Sequence, residues 1–221
     1  MDKIYISENI IKNLFKNIYF ITGTAYAGKS TMIKMLAEKY NGIACKENYH
    51  EDLRYLTDVE HQPSLNYFDT MTDWQEFVNR SPEEYSNWIK EATKEISELE
   101  LVQLIKVGGT DRKVFVDTNI SVSLLHKISD YKHVAIMICP QTMSVEKFFD
   151  RTDPEKQFLL SVIKESKDPE KSMENFKNCI AEINSKEKYD YFVNSGFFVF
   201  ERDGSKTLDE TLNILENHFE L

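Results

Sequence analysis

The sequence predicts an α/β fold in which a five-stranded parallel sheet carries helices on both faces and a helical lobe is inserted between two strands. Short apolar runs alternate with segments of helical periodicity along the 221 residues, which is typical of βαβ units. The runs are continuously apolar, as expected for parallel strands covered on both faces. The chain length and a hydrophobic content of 41% fit one domain with its own core.

Five apolar, β-branched or aromatic runs are predicted as buried strands. In chain order they cover residues 18–22, 42–46, 114–117, 133–139 and 191–194. A further run at residues 197–202 is predicted as a strand or as one arm of a hairpin. The parallel arrangement places a ligand site at the carboxyl ends of the strands.

Helical periodicity fills the segments between these runs. A helix over residues 29–40 ends at Asn41-Gly42, and a long helix over 82–107 begins at the N-cap Ser81, with Pro82 first and Glu84 completing a capping box. Shorter helices are predicted over residues 143–151, 169–186 and 208–219. Residues 47–109 are too long for a plain crossover and therefore predict an inserted helical lobe.

Charge and cysteine content exclude several classes of function. Lys and Arg total 27 against 37 Asp and Glu, so the formal charge is −10. An acidic chain is a poor candidate for non-specific binding to nucleic acid or to a membrane surface. The three cysteines form no CxxC motif, no apolar run could span a bilayer, and the first residues lack a signal-peptide core. We therefore expect a cytoplasmic protein without nucleic-acid or membrane partners.

One segment carries a specific chemical motif. Residues 23–30, here called the glycine loop, match GxxxxGK[ST] and lie between an apolar run and an amphipathic helix. The glycines let backbone N–H groups face a phosphate chain, Lys29 would reach the β- and γ-phosphates, and the Ser30 hydroxyl would bind Mg²⁺. The predicted nucleotide-binding residues are Gly23, Thr24, Ala25, Tyr26, Ala27, Gly28, Lys29, Ser30 and Thr31.

A second carboxylate is predicted beside this loop. Asp117 ends the buried run Val114-Phe115-Val116, which is the pattern of a Walker B strand. Such an acid holds Mg²⁺, commonly through a water molecule. The alternatives are that Asp117 contacts the acceptor instead, or that it only caps the helix that follows the strand.

The order of these elements resembles the nucleoside and nucleotide kinase-like family of P-loop phosphotransferases. No Asn-Lys-x-Asp guanine motif of GTPases occurs in the chain, and the size disfavours ABC-type and helicase-type ATPases. The resemblance implies the three-layer P-loop NTPase fold as a single domain over residues 1–221, with ATP and Mg²⁺ as cofactors and a small-molecule hydroxyl as acceptor. Uridine kinase-like and chloramphenicol phosphotransferase-like enzymes are the nearest patterns.

The resemblance also implies an acceptor side formed by the lobe at residues 47–109. A carboxylate after strand 2 commonly orients the acceptor hydroxyl, and here the candidates are Glu47 first and Asp52 second. The alternative for both is capping and solvation of a helix start. Aromatic residues and one arginine concentrate in the lobe, either to stack on an acceptor or to form the lobe's own core: Tyr67, Phe68, Trp74, Phe77, Arg80, Tyr85 and Trp88.

A lid-like segment is implied at residues 143–166. Arg151 is its one arginine and would contact the transferred phosphoryl group, unless it pairs with a neighbouring acid. The predicted catalytic residues are thus Lys29, Glu47, Asp117 and Arg151, with Ser30 and Asp117 at the metal. Few basic residues near the lobe favour a nucleoside-like acceptor over a nucleotide. A non-catalytic ATP-binding sensor or partner-binding protein is the alternative function, and a homodimer is left open.

Overall fold

A five-stranded, all-parallel sheet forms the centre of the protein. The structure is a computed structural model that describes residues 6–150 and 154–221. The strands are β1 (Ile18–Gly23), β2 (Ile43–Cys45), β3 (Val114–Asp117), β4 (Val134–Ile138) and β5 (Phe198–Glu201), in the spatial order β2-β3-β1-β4-β5. The predicted α/β class and parallel five-stranded sheet are confirmed.

Helices connect the strands along the described parts of the chain. They are α1 (Glu8–Leu14), α2 (Lys29–Lys39), α3 (Tyr67–Thr70), α4 (Trp74–Val78), α5 (Pro82–Gly108), α6 (Val122–Ile128), α7 (Gln141–Glu146), α8 (Pro154–Lys164), α9 (Pro169–Ile183), α10 (Lys186–Val193) and α11 (Leu208–Phe219). Two 3₁₀ helices cover Glu51–Leu56 and Tyr131–His133. None of the described helices is both long enough and apolar enough to cross a membrane.

Helices cover both faces of the sheet. Successive strand residues point to opposite faces, so each strand contributes side chains to both helical layers. On one face, Phe20 and Val116 pack with residues of α1, α5 and α6, such as Leu104 and Leu125. On the other face, Ile21 and Phe115 pack with α2 and α11 through Leu36, Leu215 and their neighbours. Burial on both sides explains why the inner strands β1, β3 and β4 are almost entirely apolar.

The fifth strand lies at residues 198–201, and the prediction of a strand at 191–194 is wrong. Residues 191–194 belong to the end of α10, where Tyr189 and Phe192 pack against the core at helical i,i+3 spacing. Tyr191 and Val193 are 46% and 43% exposed, which a central strand would not allow. The short aromatic run satisfies either periodicity, and only packing decides between them. The later run at 197–202 supplies the strand.

Local capping signals define several helix ends as predicted. In α5 the Ser81 N–H donates to Glu84 Oε2 at 2.8 Å and the Glu84 N–H donates to Ser81 Oγ at 3.3 Å, which completes the capping box. After α2, Asn41 takes a left-handed φ of 49° and the Gly42 N–H bonds to the carbonyl of Ala37. The predicted helix at 169–186 is α9, which ends at Ile183, and a separate helix, α10, begins at Lys186. The one predicted at 143–151 is the shorter α7, which ends at Glu146.

The aromatic residues of the predicted lobe at 47–109 share their core with other parts of the chain, while a smaller cluster of Leu53, Leu65 and Leu99 lies within the lobe itself. Phe77 and Tyr85 pack in one cluster with Ile163 of α8 and with Phe176 and Ile180 of α9. The cluster also takes in Val145 and Phe148, which belong to the segment predicted as a lid. Residues 67–89, α8 and α9 therefore form one packed unit beside the sheet, although they are far apart in sequence.

The end of β1 requires glycine at residue 23. Gly23 has a φ of 131°, and a Cβ atom built there would lie 1.9 Å from the carbonyl oxygen of Met137. We expect Gly23→Ala to lower the free energy of unfolding by about 3 kcal/mol, from backbone strain and overpacking together. Urea denaturation measures the change.

Gly109→Ala is the matched control for this prediction. Gly109 has a φ of −79° at the end of α5, and a Cβ atom added there would have open space around it, with no atom within 4 Å. Its substitution should change the unfolding free energy by less than about 0.5 kcal/mol. Equal losses in the two variants would contradict the proposed constraint at residue 23.

Candidate functional site

The glycine loop connects the carboxyl end of β1 to the start of α2. Gly23, Tyr26 and Gly28 all have positive φ, at 131°, 66° and 90°, and Gly28 is the N-cap of α2. The backbone N–H groups of Ala25, Ala27 and Gly28 donate to no group within the described residues. Unpaired N–H groups that precede a helix N-terminus form a concave surface suited to an anion.

The carboxyl end of β4 holds this loop in place. The Thr24 N–H donates to the Met137 carbonyl at 3.0 Å, and the Cys139 N–H donates to Thr24 Oγ1 at 2.9 Å. The Ser144 hydroxyl donates to the Ala25 carbonyl at 3.3 Å. Because these contacts are buried or half-buried, the loop conformation is set by the neighbouring strand as well as by its own sequence.

Lys29, Ser30 and Asp117 meet at the edge of the sheet. The Ser30 hydroxyl donates to Asp117 Oδ2 at 2.7 Å, and Lys29 Nζ lies 4.0 Å from Asp117 Oδ1. Lys29 Nζ also donates to the carbonyl of Thr24 at 3.1 Å. Asp117 shares its sheet face with Phe115, which packs on α2, so its side chain extends toward the start of that helix. The structure thus brings together three residues that the sequence predicted for the site.

The alternative role of Asp117 as a helix cap does not match the structure. Ser121 is the N-cap of α6, and its side chain accepts a hydrogen bond from the Leu124 N–H. Asp117 is buried in the last position of β3, with a side-chain exposure of 6%. Its carboxylate is therefore directed to the glycine loop rather than to the helix that follows.

The donor set fits a magnesium ion better than a metal held by protein ligands alone. Ser30 and Asp117 offer a hydroxyl and a carboxylate oxygen, the hard ligands that Mg²⁺ prefers. Within residues 6–150 and 154–221, no group of three or more His, Cys, Asp or Glu side chains could hold a metal. Mg²⁺ commonly binds through one or two protein oxygens plus waters and phosphates, which agrees with this sparse set.

Arg202 is a second cation beside the glycine loop, and it was not predicted from the sequence. It follows β5, and its Nη1 donates to the Tyr26 carbonyl at 2.9 Å. The same guanidinium lies beside Gly28. Tyr26 in turn donates its hydroxyl to the Lys147 carbonyl at 2.6 Å, which ties the loop to the segment after α7. Had β5 been predicted at residues 198–201, Arg202 would have been expected at the carboxyl ends of the strands, where Asp117 also lies.

The two carboxylates predicted for the acceptor side are exposed. Glu47 follows β2 and Asp52 lies in the first turn of the 3₁₀ helix Glu51–Leu56. That helix has no side-chain cap, and neither carboxylate forms an ion pair or hydrogen bond with a described residue, so neither caps the helix. Their exposure fits the alternative of solvation as well as a role toward a ligand. Both are available to solvent or to a ligand.

Glu100 of α5 is a buried carboxylate near the end of β3, and it was not predicted. Its exposure is 0%, and burial raises its pKa above the ordinary value for glutamate. It accepts hydrogen bonds from Tyr49, Thr118 and Asn119. No local pattern in the sequence marks it, because its neighbours on the helix face, at positions 96, 97, 103 and 104, are both polar and apolar.

Most of the lobe aromatics pack with one another. Phe77 and Tyr85 are buried, and Trp74 stacks edge-on against Phe158 of α8 at 4.9 Å between centroids. The Arg80 guanidinium lies 4.1 Å above the Tyr67 ring, and its Nη1 is buried without a hydrogen-bond partner in the described chain. This arrangement favours a packing role of these aromatics over stacking on an acceptor, in a core that they share with α8 and α9. Arg151, the remaining predicted catalytic residue, lies outside the described residues.

Comparison of the chain with protein-family models, curated proteins and solved structures finds no match. Function is therefore inferred from the residues of the site alone.

The hydroxyl of Thr24 is expected to stabilise the loop. Thr24→Val removes the acceptor for the buried Cys139 N–H while it keeps the side-chain shape. The unpaired N–H should cost about 1–3 kcal/mol of unfolding free energy, measured by urea denaturation. Thr31→Val, at an exposed position of α2, should cost less than about 0.5 kcal/mol and serves as the control. A similar loss in both variants would contradict the anchoring role of Thr24.

Proposed function

We propose that this chain is an ATP- and Mg²⁺-dependent phosphotransferase that moves the γ-phosphate to a hydroxyl of a small, nucleoside-like molecule. The observation that carries the proposal is the contact between Ser30 and Asp117 at 2.7 Å, with Lys29 beside them. A GxxxxGK[ST] loop, its helix and a Walker B-type carboxylate are the parts that P-loop enzymes use to bind a nucleotide with its metal. The parallel sheet is compatible with a P-loop fold.

The backbone of the glycine loop and the start of α2 would bind the phosphates. The N–H groups of Ala25, Ala27 and Gly28, which have no acceptor among the described residues, would stabilise negative oxygens together with the partial positive charge of the helix N-terminus. Lys29 would exchange the Thr24 carbonyl for a phosphate oxygen, because its Nζ is held close to the loop. Ser30 and Asp117 would hold Mg²⁺, which when bound neutralises charge on the β- and γ-phosphates.

Transfer requires an acceptor hydroxyl aligned with the γ-phosphorus. The bond from that phosphorus to the β–γ bridging oxygen breaks, a bond to the acceptor oxygen forms, and ADP leaves. The hydroxyl proton passes to a carboxylate, for which Glu47 is the first candidate and Asp52 the second, since both are exposed and unpaired among the described residues. Arg151 would add positive charge on the γ-phosphate side.

The charges around the acceptor side favour an uncharged acceptor. Arg54 donates to Asp69 at 2.6 Å and lies 3.9 Å from Glu51, so it is already paired with two carboxylates. Arg80 is packed over Tyr67. A nucleoside monophosphate would need several uncommitted cations for its phosphate, whereas a nucleoside or sugar-like hydroxyl would not.

The first experiment measures ATP binding by isothermal titration calorimetry in the presence of Mg²⁺. Lys29→Ala should lower ATP affinity by about 10- to 100-fold, the equivalent of about 1.5–3 kcal/mol for charge-assisted hydrogen bonds. Lys34→Ala, on the exposed side of the same helix, should bind as the wild type does, because Lys34 faces solvent and pairs with Glu38 on its own helix. A wild-type chain that binds neither ATP nor GTP would refute the proposal.

The second experiment separates an enzyme from a non-catalytic nucleotide sensor. ADP formation is followed with nucleosides, nucleoside monophosphates, sugars and aminoglycosides as acceptors. Glu47→Gln should keep ATP affinity and lower acceptor-dependent turnover by about 100-fold, the usual contribution of a general base. Asp52→Asn tests the second candidate, and Glu60→Gln, at an exposed position, is the control.

The outcome also discriminates between the two functions. Tight ATP binding without stimulation by any acceptor would favour the sensor. The sensor stays a second candidate because the lid-like segment at 143–166 contains one arginine, Arg151, to contact the transferred phosphoryl group.

A further inference from the structure

Glu100 is a carboxylate buried where the lobe helix α5 meets the ends of β2 and β3. It is 0% exposed, and none of the ion pairs among the described residues involves it. Burying a carboxylate without a cation is expensive, and charged side chains are rarely retained at such positions without a compensating set of hydrogen bonds. The hydrogen-bond donors around the Glu100 carboxylate therefore indicate its role.

Four donors converge on the two oxygens of Glu100. The Thr118 hydroxyl donates to Oε2 at 2.5 Å, and the Tyr49 hydroxyl donates to Oε2 at 3.2 Å. The Asn119 N–H donates to Oε2 at 3.1 Å, and Asn119 Nδ2 donates to Oε1 at 3.0 Å. This set approaches the acceptor capacity of an ionised carboxylate, about four hydrogen bonds.

These donors come from two different segments of the site. Thr118 and Asn119 directly follow Asp117, so their bonds to Glu100 fix the backbone on the carboxyl side of the metal-binding acid. The Thr118 hydroxyl also accepts from the Ile120 N–H at 3.1 Å, which closes the turn after β3. Tyr49 lies two residues after Glu47 in the segment that follows β2. One side chain of α5 thus restrains both segments.

We propose that Glu100 is a positioning residue that fixes the turn after β3 so that Asp117 faces Ser30 and the bound Mg²⁺. The inference rests on the proposed function and deepens it, because it assigns to the lobe helix a part in metal binding. Glu100 itself does not touch the metal or the nucleotide. Its bonds to the backbone next to Asp117 act as outer-shell contacts do at other metal sites, where their loss weakens metal binding by about 10- to 100-fold.

The test compares Glu100→Gln with Glu98→Gln, an exposed glutamate on the same helix. Glutamine keeps the shape but carries one acceptor oxygen in place of two, so part of the donor set loses its partner. ATP affinity is measured by calorimetry in EDTA and across a Mg²⁺ titration. We expect Glu100→Gln to raise the Mg²⁺ concentration for half-maximal enhancement of ATP binding by about tenfold, with ATP affinity in EDTA unchanged.

Variants of the donors make the test specific for Asp117. Thr118→Val removes a bond next to Asp117 and should shift the Mg²⁺ titration in the same direction as Glu100→Gln. Tyr49→Phe removes the bond on the β2 side and should leave the Mg²⁺ titration unchanged. If Glu100→Gln does not fold, as judged by circular dichroism, Asn119→Ala takes its place. It removes the Nδ2 donor to Glu100 Oε1 and should shift the Mg²⁺ titration in the same direction, with Tyr49→Phe as its control.

Three outcomes would overturn the proposal. The first is a Mg²⁺ titration of Glu100→Gln that matches that of Glu98→Gln. The second is an equal loss of ATP affinity with and without Mg²⁺, which indicates general damage to the fold. The third is a shift with Tyr49→Phe as large as that with Thr118→Val. If the wild-type chain binds no nucleotide, both the proposed function and this inference are refuted. If the wild type binds ATP more tightly with Mg²⁺ and the Glu100 variant behaves like the control, only the role of Glu100 is refuted.

Discussion

The position of β1 between β3 and β4 is the constraint on which the rest of the site depends. Hydrogen bonding on both sides aligns Ile21 with Asp117 and Gly23 with Met137. This register brings Asp117 level with the start of α2 and leaves the Met137 carbonyl where only a glycine can end β1. A slip of one residue would turn Asp117 to the opposite face of the sheet, away from Ser30.

The long helix α5 connects this edge of the sheet with the aromatic unit beside it. Its 27 residues span about 40 Å at 1.5 Å per residue, so one rigid element reaches from one core to the other. Tyr85, near its start, packs with Phe176 of α9, whereas Leu104, near its end, packs on the sheet. Glu100 lies close to the sheet end of this helix.

Local patterns in the sequence predicted much of the fold because their causes are local. The capping box at Ser81 and Glu84 needs only residues three positions apart. The buried strands β1, β3 and β4 are almost entirely apolar, so their burial is evident from the sequence. The run at 191–194 was wrongly predicted as a strand because its aromatic and β-branched residues fit either a helical or a strand period. Its helical conformation is decided by the packing of Tyr189 and Phe192 against the core.

Parts of the site depended on contacts that no local pattern records. Arg202 reaches the Tyr26 carbonyl across 176 positions of sequence, and Tyr49 reaches Glu100 across 51. From composition alone, the lobe aromatics could either stack on an acceptor or form a core. Their packing with α8 and α9 favours a core. Such distant pairs depend on the order and register of strands, which hydrophobic patterning constrains only weakly.

The sequence by itself determined the α/β class, the glycine loop, and the residues Lys29, Ser30 and Asp117, because motif spacing and apolar periodicity are properties of short segments. The tertiary structure alone decided that the Ser30 hydroxyl meets the Asp117 carboxylate, that residues 198–201 form the edge strand, and that Glu100 is buried among four donors. The physical reason is that these features arise from the packing of segments far apart in the chain, where burial and hydrogen-bond satisfaction act on the whole fold at once.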